Sequence, residues 1–443
     1  AYATNGAAAI STPANATRSS PRAVPVTVAD QFGRTALVAG TFDTKSKELM
    51  FLRDQLRQLG ISTRTVDLST SKSATRADVT PAEVASCHPR GSSAVFTDDR
   101  GSAVKAMTEA FAIWFIRQRD IGGVISAGGS GGTTLVANAM QALPVGLPKL
   151  IISTMASSDV SPYVGAVDIT MMHSVTDVQG INSVSEPILR NGASAMAGMI
   201  KALPTQAQRQ ASRAAAKPAV GITMFGVTTP CVQAITKRLD AELDCLVFHA
   251  TGTGGRALEK LVDSGAFAAV MDVTTTELAD MHVGGVFPAT EDRLGAVIRT
   301  RVPYVGSVGA LDMVNFGAMN AVPEKFRARN FVVHNPNVTL MRTTVDENRW
   351  LGQWIASRLN QMQGPVRFLL PEGGVSMLDA PGQPFYDPAA DAALFEAIES
   401  NFQASGNKRL LRVSGNINDS TFVTQAINCL YEIQQTLTKK RSA

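Results

Sequence analysis

A strand that ends in glycines just before a helix leaves main-chain N–H groups unpaired at the positive end of the helix dipole. A phosphate or carboxylate is held well there. The sequence has two such places. In VISAGGSGGTT, Gly128, Gly129, Gly131 and Gly132 separate an apolar run from a helical one, and Ser130 and Thr133 add hydroxyl donors. In VFHATGTGGRA, Gly252, Thr253, Gly254, Gly255 and Arg256 repeat the device, so a second anion loop is expected. A Cβ at these glycines blocks both the turn and the approach of the anion. Neither loop matches the GxGxxG dinucleotide pattern or the Walker pattern, since no lysine follows the last glycines; a tight turn with close helix packing is the competing reading. The segment GTFDTK adds Gly40, Thr41, Asp43, Thr44 and Lys45, with Lys45 expected to neutralise phosphate charge; alternatively Asp43 or Thr44 caps a helix and Lys45 is solvated. Arg100, in TDDRG, has the geometry of a phosphate clamp, while Asp98 or Asp99 caps a helix or holds Mg²⁺ through water. Ser69 and Thr70 end a strand where such folds meet a ribose, although hydroxyls there are also ordinary turn formers.

The second half is denser in polar groups. Asp272, Glu277 and Asp280 lie in DVTTTELAD, Asp312 and Asn315 in GALDMVNFG, and His334, Asn335 and Arg342 in HNPNVTLMR. Carboxylates brought together on neighbouring strand ends are expected to serve as an acid/base pair or a metal cage, with His334 as proton carrier and Arg342 and Arg256 as carboxylate or phosphate clamps. The catalytic candidates are therefore Asp272, Glu277, Asp312, His334 and Arg342, against a plainer reading of Thr274–Glu277 as an N-cap box. Cys231 follows Pro230 at a helix start and reads as a buried thiol rather than a nucleophile. The five histidines and four cysteines show no metal-ligand spacing, so no metal site is expected in the protein itself.

The elements that position these loops follow from periodicity. Short apolar runs alternate with amphipathic stretches from Thr35 onward, the βαβ rhythm of a parallel sheet; Leu49, Leu52, Leu56 and Leu59 form one helical stripe. Strands are expected near 35–39, 63–68, 123–127 and 149–153, then near 219–224, 245–249, 268–273, 304–307, 366–370 and 410–413. The polar, Ala-rich PTQAQRQASRAAAKP between them reads as a linker. The fold class is α/β: two doubly wound Rossmann-like subdomains with mainly parallel sheets. Residues 1–34 are expected to be disordered, 35–203 to bind nucleotide, 204–218 to link, and 219–438 to form the second subdomain.

Of 443 residues, 45% are apolar and 18% charged, enough for two large cores. A net charge of +4, evenly spread, gives no nucleic-acid groove, and no apolar run approaches the ~20 residues of a membrane span. Scattered cysteines suit a reducing, cytoplasmic compartment.

The strings GTFDTK, GGSGGT, STMASSDVSPYVG, GITMFGVTTPC, DVTTTELAD, GALDMVNFG, HNPNVTLMRTT and GGVSMLDAPGQPFYDP, in this order, closely resemble one family. It shares the ATP-binding domain typified by the N-terminal inhibitory domain of the tomato mosaic virus resistance protein, and has uncharacterised members in bacteria and fungi. The resemblance covers about residues 35 to 436. It implies a homodimer and ATP held in the first subdomain by Gly40, Thr41, Asp43, Thr44, Lys45, Thr70, Arg100 and Gly128 to Thr133. It also implies regulation of a partner protein, as in the plant member that binds a viral replication protein. The alternative is a metabolic enzyme acting on a small acidic or phosphorylated substrate at the second-half cluster. Two positions depart from the family pattern: Ser158 stands where glycine is frequent, and Asn416 where histidine is common. A catalytic role for that histidine implies impairment here.

Overall fold

A computed structural model describes residues 32–71 and 76–441. Residues 1–31, most of the segment expected to be disordered, lie outside the described residues, and Phe32–Arg34 already belong to the first strand.

The first subdomain runs β1 (Phe32–Gly40), α1 (Phe42–Gln58), β2 (Thr63–Asp67), α2 (Pro81–Ala85), α3 (Arg100–Ile116), β3 (Ile121–Gly128), α4 (Ser130–Ala142), β4 (Lys149–Ser153), α5 (Ser161–Val164), β5 (Thr170–His173) and α6 (Ser185–Ala202). Its five strands are all parallel, in the order β2-β1-β3-β4-β5. Buried on both faces, β3 and β4 are apolar without alternation, as a parallel sheet requires. The α1 stripe of Leu49, Leu52 and Leu56 packs with Met196 and Ile200 of α6 on one face. On the other, Met107, Phe111 and Trp114 of α3 meet Leu135, Val136 and Met140 of α4.

The expected linker is a helix, α7 (Gln206–Ala215), whose described side chains are almost all exposed. Alanine and glutamine favour helix even where no core faces them.

The second subdomain runs β6 (Ala219–Met224), α8 (Thr229–Leu239), β7 (Asp244–His249), α9 (Thr253–Asp263), β8 (Ala269–Thr274), α10 (Glu277–Val283), α11 (Gly295–Thr300), β9 (Tyr304–Gly309), β10 (Met313–Phe316), β11 (Phe331–Asn335), β12 (Val338–Arg342), α12 (Val345–Gln361), β13 (Val366–Pro371), α13 (Pro388–Asn401), β14 (Lys408–Val413) and α14 (Ser420–Arg441). Six strands form a parallel sheet ordered β14-β13-β9-β8-β6-β7. One face is covered by α8 and α14, through Val232, Ile235, Phe422 and Leu430. The other is covered by helices that include α9, α12 and α13, through Leu258, Ile355 and Leu394. Inserted after β9 is an antiparallel sheet, β10-β12-β11, in which Met313 pairs with Arg342 and Phe331 with Met341. Its strands are not among those expected from periodicity, because their polar segments GALDMVNFG and HNPNVTLMR carry no long apolar run. Between the subdomains, Lys260 Nζ of α9 donates to the Gln141 carbonyl of α4 at 2.5 Å.

Among the described residues no helix is long and apolar enough to cross a membrane.

Candidate functional site

In the first sheet the chain leaves β1 for β2 on one side and returns to β3 on the other, so the crevice lies between the carboxyl ends of β1 and β3. The β1–α1 and β3–α4 loops meet there. A Cβ added at Gly132 would lie 3.7 Å from Thr41 Oγ1, and one at Gly131 only 3.0 Å from an Arg100 guanidinium nitrogen. Arg100 is the first residue of α3, whose N-cap is Asp99, accepting from Ser102 N at 2.8 Å. That bond holds the Asp99 carboxyl below its usual range.

The amides of Gly129, Ser130, Gly131 and Gly132 donate to no acceptor among the described residues; the α4 ladder opens with Thr133 N on Gly129 O, 2.9 Å. Arg100 has no ion-pair partner among the described residues either. From Arg100 and Gly131 an open cavity of about 750 Å³ runs between α3 and α4, past Lys105, Thr108 and Asn138. Gly131, at the start of α4, shares the wall of this cavity with two cations, Arg100 and Lys105.

Not every residue expected in this site is presented to it. Thr133 is buried, and its hydroxyl pairs with Ser153 Oγ at 2.6 Å, so it braces the loop from below. Lys45 turns aside and donates to the Val178 carbonyl. Asp43 accepts from Ser71 Oγ at 2.7 Å while its amide donates to Ser69 Oγ at 3.2 Å, tying the β1–α1 loop to the end of β2. Asp67, an ordinary strand-end residue by local pattern, anchors the same junction by accepting from the amides of Phe42 (3.1 Å) and Ser69 (2.8 Å). Thr41 and Thr44 pair their hydroxyls at 3.0 Å beside Gly132, and Thr70 follows the strand end half-buried.

The second glycine loop is built alike and filled from within. Glu277 Oε1 accepts from the amides of Gly252 (2.7 Å) and Gly255 (3.1 Å). A Cβ at Gly255 would sit 2.1 Å from Glu277 Oε2, which is why glycine stands there. Gly254 is equally enclosed, its Cβ position being 1.7 Å from the His249 carbonyl oxygen. Arg256 folds back onto the Gly252 carbonyl (3.4 Å) and the Thr253 hydroxyl (3.2 Å). The expected N-cap box at Thr274–Glu277 is absent, because Glu277 satisfies the start of α9 instead of α10. Its charge is matched by Arg293, which reaches Glu277 at 3.2 Å, Asp272 at 2.8 Å and Glu259 at 3.4 Å. Asp272 further accepts from Thr223 Oγ1 (2.8 Å) and the Tyr304 hydroxyl (3.1 Å). Burial pushes Glu259 up to about 7, against the pull of Arg293. Asp272, Glu277 and Arg293 are all nearly inaccessible, so two of the five catalytic candidates are interior struts.

A separate cluster forms where β10 and β12 pair. Arg342 reaches Asp391 at 2.9 Å and Asp379 at 3.6 Å, and Ser376 Oγ donates to Asp312 Oδ2 at 2.7 Å. Asp312 and Asp379 each keep one buried carboxylate oxygen without a hydrogen-bond partner. Burial pushes Asp312 and Asp391 well up, and neighbouring Asp379 adds to both. Arg342 and Asp312 thus do meet, whereas His334 does not join them. It is exposed, three residues along β11 from the Phe331–Met341 pair toward the hairpin turn, about 10 Å away at strand rise. Asn416 donates from Nδ2 to the carbonyls of Gly373 (3.3 Å), Ser376 (2.9 Å) and Asp379 (3.1 Å), and so is a clamp on the Gly373–Asp379 loop. Cys231 is buried and its thiol is pushed up to about 12 by burial, as suits a core cysteine. Among the described residues no group of three His, Cys, Asp or Glu is arranged to hold a metal ion.

Comparison with known proteins matches residues 34–205 to the N-terminal domain, and 217–434 to the C-terminal domain, of an uncharacterised protein family, UPF0261. The chain belongs to the UPF0261 family. A UPF0261 protein of Rhizobium meliloti is 52% identical over 397 residues, covering 89% of this chain and 98% of the relative. A UPF0261 protein of Clostridium tetani is 41% identical over 394 residues, 87% of this chain and 95% of its own length. The ToMV resistance protein Tm-1 of Solanum lycopersicum is 41% identical over 415 residues, which span 89% of this chain and 55% of the tomato protein. The boundary between the two family domains falls across α7.

Proposed function

We propose that this UPF0261 protein binds ATP, with Mg²⁺ as the counter-ion, through the β3–α4 loop of its first subdomain, and that the bound nucleotide regulates contact with a partner protein. The observation that carries the reading is the contrast between the two glycine loops. One holds an internal carboxylate, and the other has four unengaged amides beside an arginine with no carboxylate partner. Free amides at a helix N-terminus with a guanidinium beside them suit a polyphosphate. A homodimer in the cytoplasm belongs to the same reading, the latter on four free cysteines. The alternative, an enzyme acting on an acidic or phosphorylated metabolite in the second subdomain, finds less support: Arg293 and Arg342 are each surrounded by carboxylates.

Calorimetric titration of the full chain with Mg-ATP tests this. Saturable binding is expected, and Arg100→Ala should weaken it by about tenfold or more, the loss of one charge-assisted contact. Heats that stay at the dilution baseline, or an Arg100→Ala variant that binds as tightly as the parent, would remove the reading.

A further inference from the structure

The loop from β5 to α6, residues 174–184, is built under strain at the edge of the first sheet. The Thr176 amide turns back to the Ser174 carbonyl at 2.7 Å around Val175, whose φ is 64°. A three-residue turn of that hand is rare, and a β-branched residue adopts it only where its surroundings impose it. Beside the turn lies a cavity of about 10 Å³ walled by Ile152, Ser174, Thr176, Val178, Ser185 and Leu189. The Thr176 hydroxyl is buried with no hydrogen-bond partner among the described residues.

Two side chains of α1 hold this loop down. Glu48 Oε1 accepts from the Gly180 amide at 2.5 Å, and the Lys45 ammonium donates to the Val178 carbonyl. Glu48 is buried, whereas Lys45 is half-buried and has no ion-pair partner among the described residues, so its charge is bonded to a neutral group. Helix α1 is irregular at this residue, with φ −123° and ψ 24°, and the side chain does not leave it in the regular direction. The Lys45 amide donates to the Thr41 carbonyl at 2.9 Å, and Thr41 Oγ1 is 3.7 Å from the Cβ position of Gly132. Lys45 therefore starts one helical turn from the wall of the crevice between β1 and β3. A polyphosphate seated there adds an attraction between full charges, which the Val178 carbonyl does not supply.

We propose that Lys45 is a latch, taken from the Val178 carbonyl by a polyphosphate in the crevice, so that ligand binding opens the β5–α6 loop. The inference rests on the ATP reading above and adds the means by which the bound nucleotide alters the surface of the protein. With Lys45 withdrawn, the loop keeps the Glu48 bond at Gly180 and its anchor at Asn182, whose Oδ1 accepts from the amides of Val184 and Ser185 at 2.9 Å each. The turn at Val175 and the unpaired Thr176 hydroxyl lie on the released side. Opening relieves the first and gives water to the second.

The test is hydrogen–deuterium exchange of the full chain at residues 176–180, read beside calorimetric titration of the same samples. Saturating Mg-ATP is expected to speed exchange there by about tenfold, while adenosine, which carries no phosphate, leaves it unchanged. Lys45→Met is expected to show the fast exchange without ligand and no further response to Mg-ATP. Saturable Mg-ATP heats with exchange at 176–180 unchanged or slowed overturn the latch and leave the ATP reading standing. The absence of any heat overturns both. Adenosine opening the loop as ATP does, or a ligand-free Lys45→Met loop that exchanges as slowly as the parent's, also overturns the latch. The parent chain alone decides the first of these outcomes, whatever the substitution does to folding.

Discussion

Single residues decide what the two glycine loops do. Gly255 is fixed by contact with its own protein, because alanine there meets Glu277 Oε2 at 2.1 Å. Gly255→Ala is expected to lower the denaturation midpoint sharply in a urea titration, whereas Gly131→Ala meets only the mobile end of Arg100 at 3.0 Å and should cost little. Truncating Glu277 is a harsher change. Glu277→Ala leaves Arg293 short of a partner and two amides empty in a buried place, an expected loss of about 3–5 kcal/mol by equilibrium unfolding. A loss under about 1 kcal/mol would mean that water replaces the carboxylate. Asn416 belongs to the same class. Its Nδ2 holds three carbonyls, so Asn416→Ala should cost about 1–3 kcal/mol and loosen the Gly373–Asp379 loop, seen as faster amide exchange at Val375. The position at which the resemblance led to the expectation of histidine is a structural clamp in this chain.

At the scale of elements, the parallel sheets were legible because their strands are short, uniformly apolar and closed by glycine or hydroxyl residues. Lys149–Ser153 and Ile121–Gly128 are examples, and each expected strand begins and ends within three residues of the observed one. What escaped were elements whose pattern depends on partners distant in sequence. The strand Thr170–His173 lies at a sheet edge, is half exposed and has no apolar run. The β10–β12 insertion has a polar hairpin whose pairing is fixed by registers such as Phe316 with Thr339. The candidate site was half legible: the glycine loops follow from local sequence. That Glu277 fills one of them depends on a contact 25 and 22 positions back along the chain, which periodicity does not carry. The helix α7 is the other case, read as a linker for its polarity and found helical with exposed sides. Since it packs on neither core, Gln210→Pro should abolish its helicity yet move the thermal midpoint by less than ~2 °C, measurable by calorimetry. A larger drop would show that α7 holds the subdomains together.

For the whole molecule, buried carboxyls set the response to pH. Glu259 has a folded value of about 7 against the usual 4.5. Below 4.5 both folded and unfolded chains hold that proton; between there and 7 only the folded chain does, so stability falls as pH rises through the window and then levels off. The effect is roughly 3 kcal/mol for Glu259 alone, and Asp312 and Asp391, also raised, act in the same direction. Urea midpoints are expected to be higher at about pH 5.5 than at about pH 8, and Glu259→Gln should flatten part of that slope. A midpoint that climbs over this interval would contradict it.

The tethered carboxylate of Glu277 also fixes a count. Carried on the same chain as the loop it fills, it is present at a local concentration that no free phosphate compound reaches in solution. If the β3–α4 loop takes a phosphate-bearing ligand as proposed, the loop filled by Glu277 does not compete for it, and saturation should settle at one ligand per polypeptide, however much is added.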